Sequence, residues 1–152
     1  MHSQSVYDIL VSLRKAHRNL IERAEAADYL SEDDRFHVVL AYVKKSEREI
    51  ENILGNVDKD IKGSALKAWT RHYSDDPVVA LNKIFKQAEV EDLERFIELL
   101  LEAKNKIIDL YDSCMNGLSN PEAQAIFKRL RDYECSQIEN FSRRVNGVAE
   151  GY

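Results

Sequence analysis

Four stretches of this chain repeat apolar residues at alternating steps of three and four, and that rhythm constrains the fold more than any other feature. The first runs Val6, Leu10, Leu13, His17, Leu20, Ala24, Ala27, and the second Phe36, Val39 or Leu40, Val43, Glu47, Ile50, Leu54. The third runs Val90, Leu93, Ile97, Leu100, Lys104, Ile107, Tyr111, Cys114, and the fourth Ala123, Phe127, Leu130, Glu134, Gln137, Phe141, Val145. At about 3.6 residues per turn, such steps keep each set on one face of a helix. A helix with a single apolar stripe buries it against another, so the pattern predicts an all-α domain. Its four long helices, near residues 5–29, 32–54, 90–116 and 121–146, should pack as an antiparallel four-helix bundle.

Punctuation fixes the connectivity. Ser5 with Asp8 and Ser31 with Asp34 have the spacing of capping boxes at helix starts. Gly55 and Asn116-Gly117 stop the second and third helices, Asn120-Pro121 opens the fourth, and Gly147 begins an expected frayed tail. Short turns therefore join the first helix to the second and the third to the fourth. Asn56 to Asp76 keeps no period. It carries Trp69, His72 and Tyr73, which should pack against the bundle, with a short helix near Ala65 to Trp69. Pro77 opens a further short helix reaching roughly Gln87. One long crossover thus separates two helical hairpins within a single domain of 152 residues.

Composition narrows the function classes. Five Gly and two Pro beside 32% charged residues favour long solvated helices. A net charge of −5 argues against a nucleic-acid binder, which would need a basic face. The most apolar window, IELLLEAKNKII, is broken by charge and too short for a membrane span. The opening MHSQSVYD lacks a basic start and a long apolar run, so no signal peptide is expected. Cys114 and Cys135 share no CxxC spacing and read as reduced thiols of a cytoplasmic protein. The chain has no phosphate-binding glycine loop, zinc spacing or nucleophile elbow.

The informative residues are the polar ones that interrupt the seams: His17, Glu47, Lys104, Glu134 and Gln137. A charge at a core position is costly unless paired. His17 and Glu47 each lie fifteen residues from Glu32 in the first turn, and Lys104 and Glu134 each lie fifteen from Ser119 in the second. All four should therefore sit at one height, roughly 20 Å from the turns. With the hairpins side by side they meet in one layer, flanked by Gln137 a turn further on. The expected arrangement is a buried Lys104–Glu47–Glu134 ion cluster, hydrogen-bonded by His17 and Gln137. Alone, either glutamate or the lysine could instead snorkel to water from the seam's edge. Glu22 and Glu25 fall on the outer face, and of Glu47, Glu49 and Glu51 only Glu47 points inward. His37 and His72 lack partners at metal-ligand spacing, and Tyr7, Tyr42, Tyr73, Tyr111 and Tyr133 read as packing residues.

The single crossover and the polar layer resemble the ferritin-like superfamily, in its rubrerythrin-like branch. Its di-iron site takes a Glu from helices one and three and a Glu-x-x-His from helices two and four. LLLEAKNKIIDLYDSC and PEAQAIFKRLRDYECSQIENF are similar to that family's later helix pair, and Tyr111 falls where it places an aromatic. The resemblance implies a metal layer at these positions, but this chain departs from the ligand set. His17 stands for the first Glu, Ile50 for the His after Glu47, Lys104 for the third-helix Glu, and Gln137 for the final His. Two carboxylates of an expected four remain. The site is degenerate: a lysine repels a metal and can supply the positive charge iron would have supplied.

These readings predict a non-catalytic helical protein used for interaction, assembly or sensing, with no cofactor. The alternative is an atypical metalloprotein with oxidase, peroxidase or iron-handling activity, its iron or manganese held by His17, Glu47 and Glu134. A plain interaction module whose polar layer only fixes register is a third. The third helix also carries Phe96, Leu99, Leu101, Ile108 and Leu110 outside its seam, which predicts a homodimer through that helix.

Overall fold

A computed structural model describes residues 2–57, 63–86 and 92–149. Six helices and two short strands occur among them: β1 (His2–Ser5), α1 (Val6–Leu30), α2 (Asp34–Gly55), α3 (Gly63–Lys67), β2 (Trp69–His72), α4 (Pro77–Ile84), α5 (Leu93–Gly117) and α6 (Pro121–Ala149). The four long helices match the four seams. Val90, an expected seam residue, and Gln87, an expected helix end, lie outside the described residues. α6 continues past Gly147, where fraying was expected: glycine removes a side chain but leaves the backbone hydrogen bonds intact.

The caps explain the boundaries. Ser5 Oγ accepts from the Asp8 amide at 3.1 Å, and Asn120 Oδ1 from the Ala123 amide at 3.1 Å. Asp76 holds the start of α4 ahead of Pro77 through the Val78 amide at 2.9 Å. The cap of α2 is Asp33 rather than Ser31, accepting from the Arg35 amide at 2.9 Å; Ser31 closes α1 instead.

α1 packs on α2, α5 on α6, and α2 on α6. Every expected seam residue of α1 and α2 is buried, as are Leu100, Lys104, Ile107, Tyr111 and Cys114 of α5. On the remaining side α4 packs against both α1 and α5. Its buried Leu81 and the following Phe85 occupy the space between the hairpins, and Phe85, Phe96 and Phe36 form a row with ring centroids 6.1 Å apart. Arg23 of α1 lies 4.9 Å over the Phe85 ring. Phe96, Leu99 and Leu110, three of the five residues on which the expected dimer interface was based, are buried within the chain. Leu101 and Ile108 are half-buried.

The strands are the departure from a purely helical reading. β1 pairs antiparallel with β2, His2 opposite His72 and Ser5 opposite Trp69. β2 lies across the C-terminal end of α5, where Thr70 Oγ1 donates to the Cys114 carbonyl at 3.0 Å, one of the helix's otherwise orphaned acceptors. His72 Nε2 contacts Gln4 Oε1 at 2.7 Å. A Cβ on Gly117 would overlap the Arg71 carbonyl oxygen and Thr70 Oγ1, so the strand needs a glycine there to pass. Trp69 was expected at a helix end, packed on the bundle with Tyr73. It lies in β2 instead, and the two are 64% and 81% exposed because alternation along the strand turns Thr70 and His72 inward. No helix among the described residues is long and apolar enough to cross a membrane.

Candidate functional site

The four interrupting side chains His17, Glu47, Lys104 and Glu134 meet in the interior, each at most 4% exposed. Each belongs to a different long helix, and the equal distances from the two turns bring them to one level. Lys104 Nζ donates to Glu47 Oε1 at 2.8 Å and to Glu134 Oε1 at 3.1 Å. His17 closes the ring from the opposite side. Its Nδ1 hydrogen-bonds Glu47 Oε2, and its Nε2 lies 2.8 Å from Glu134 Oε1, in ionic contact but not aligned for a hydrogen bond.

The electrostatics make this a closed unit. Burial alone would lower the His17 pKa, yet the Glu134 and Glu47 carboxylates outweigh it and raise it to about 9. His17 is therefore an imidazolium at neutral pH. Burial would raise Glu47, but Lys104 and His17 hold it down at about 2. Lys104 is raised despite its burial, because Glu134 and Glu47 favour the ammonium. Two cations face two carboxylates, so the quartet carries no net charge.

Gln137 does not join it. Its side chain is half-buried and turns to Glu49, with Nε2 3.4 Å from the Oε2 that also accepts from Tyr133 Oη at 3.0 Å. As its position one turn beyond Glu134 implied, Gln137 lines a crevice with Glu47 and Lys104, its Oε1 buried and without a partner, but its Nε2 is spent on Glu49 of α2 instead of the cluster. Tyr111 belongs closer than the sequence suggested. It is fully buried, and its phenol is pushed well above its usual range by burial and then by Glu134 and Glu47. Tyr111 Oη and Glu134 Oε2 both lack a protein partner. The aromatic seven residues along the helix from Lys104 was the available signal.

The residues do not fit a di-iron or di-manganese centre. Glu47 spends both oxygens on cations, His17 is protonated, and the Lys104 ammonium occupies the midpoint between the carboxylates. Among the described residues no group of three or more His, Cys, Asp or Glu side chains is arranged to hold a metal ion. Elsewhere His37 Nδ1 pairs with Asp28 Oδ1, whose other oxygen accepts from Lys44 at 3.0 Å; this clasp tightens the α1–α2 turn. Glu22, Glu25 and Glu49 are exposed, as their positions on the outer faces required. Compared with family profiles, curated proteins and solved structures, the chain finds no match.

Proposed function

We propose that this chain is a ferritin-like four-helix bundle of the rubrerythrin-like kind in which a fixed ion quartet stands where the metals would be. It serves as a non-catalytic interaction, assembly or sensing protein. The observation that carries this reading is the position of Lys104 Nζ, 2.8 and 3.1 Å from the two carboxylates that survive from the family's ligand set. A bound dication would have to displace that ammonium, and His17 could join as a ligand only after losing its proton, because a metal takes the neutral imidazole. The quartet joins one residue from each long helix, which suits a register-fixing core better than a reactive one.

Elemental analysis of protein purified without chelators tests this. The expected result is far less than one iron, manganese or zinc per chain, unchanged after incubation with each metal. Near-stoichiometric metal lost on His17→Ala would favour the metalloprotein with His17, Glu47 and Glu134 as ligands. Self-association through α5 has less apolar surface to use than its sequence promised, since three of the five residues are covered by the chain itself.

A further inference from the structure

A shallow groove of about 260 Å³ runs between α2 and α6, outside the quartet and chemically independent of it. Val38, Val39, Tyr42, Phe141, Arg144 and Val145 line it. Tyr42 and Phe141 stack across it with centroids 6.4 Å apart and ring planes within 12°. Behind that stack lies a crevice of about 20 Å³ that reaches Lys104, so the aromatic pair divides an open apolar groove from the polar layer.

Arg144 sets the chemistry at the rim. Its guanidinium lies 4.5 Å over the Tyr42 ring, and no carboxylate pairs with it among the described residues. A guanidinium stacked by its face still presents its edge, where parallel N–H groups match the two oxygens of a carboxylate. The inner end cannot take a second anion. Lys104 is already matched by two carboxylates, and an added negative charge there would be buried without a counterion. A ligand's charge therefore belongs at Arg144 and its apolar part on the valines. The groove is smaller than the roughly 300–1,000 Å³ of sites for drug-sized molecules, which favours a short, slender ligand.

We propose that this groove binds an aliphatic monocarboxylate of medium chain length. The carboxylate sits bidentate on Arg144, and the chain lies along Val38, Val39 and Val145 against the Tyr42–Phe141 stack. Calorimetric titration of the full chain with octanoate, octanol and octylamine tests the assignment. Octanoate should bind saturably and most tightly, octanol more weakly and octylamine least. Arg144 is exposed, so Arg144→Gln should weaken octanoate by about threefold to fivefold, the loss expected for a solvent-screened ion pair, with octanol affinity changed less than about 1.5-fold. Val145→Asp should weaken both, and unchanged urea midpoints would show that both variants remain folded. The proposal fails if no saturable heat appears, if the three ligands bind alike, or if Arg144→Gln leaves octanoate affinity intact. It also fails if solution mass shows that a second copy fills the groove, a dimer that Val38→Asp dissociates.

Discussion

Replacing Lys104 by Met removes the ammonium while keeping an unbranched side chain of similar reach. Three groups then remain in a layer at most 4% exposed, two carboxylates and one imidazolium, so the net charge falls from zero to −1. Breaking a buried ion cluster by deleting one partner costs about 3–5 kcal/mol, because the surviving charge keeps its desolvation penalty. For a chain of this size each kcal/mol moves the midpoint by about 2–4 °C, so the thermal transition should drop by about 6–20 °C. Urea unfolding followed by circular dichroism gives the free energy directly. The double variant Lys104→Met/Glu134→Gln deletes two groups but restores neutrality, so it should be more stable than Lys104→Met alone. A loss below about 1 kcal/mol, or a double variant less stable than the single, would refute the claim that neutrality holds this layer together.

Stability should also fall on both sides of a mildly acidic plateau. The His17 pKa is raised from 6.5 to about 9, so its stabilisation is complete below 6.5 and lost as pH rises through 9. Glu47 is depressed from 4.5 to about 2, so its contribution is present above 4.5 and lost as pH falls towards 2. His17→Gln should flatten the alkaline limb in urea titrations run from pH 6 to pH 10. Gly117→Ala should cost about 1–3 kcal/mol by forcing β2 off the end of α5, seen as faster amide exchange at Thr70 and His72. Leu99→Glu should lower the urea midpoint sharply at every protein concentration, because Leu99 is 4% exposed within one chain.

The long helices and the quartet were legible because both follow from counting. Apolar steps of three and four fixed the buried faces, and equal distances from two short turns fixed the height of His17, Glu47, Lys104 and Glu134. What escaped depends on contacts that counting does not reach. HSQS and WTRH are four residues each and mostly polar, too short for an alternating pattern to identify strands. Their pairing relies on Gly117 leaving room and on Thr70 satisfying the Cys114 carbonyl. Gln137 was assigned by helical position alone, whereas its final direction depends on Glu49 of another helix. The short helix at Pro77 could be read from its proline and Asp76, but not its seat between α1 and α5.

That seat changes what the surplus apolar residues of α5 mean. Phe96 and Leu110 belong to a face of the kind that binds a separate molecule, and the chain supplies the occupant itself in Leu81, Ile84 and Phe85. α4 behaves as a tethered partner whose attachment gives it a high local concentration, so eight residues can hold a surface that a free peptide of that length would scarcely occupy. Such an element is a candidate for opening as its own unit, below the free energy that unfolds the hairpins. Opening would uncover the row from Phe36 through Phe96, while the quartet, which draws on none of its residues, stays closed. With α4 seated, the face that the sequence offered to a second copy belongs to the interior of this chain.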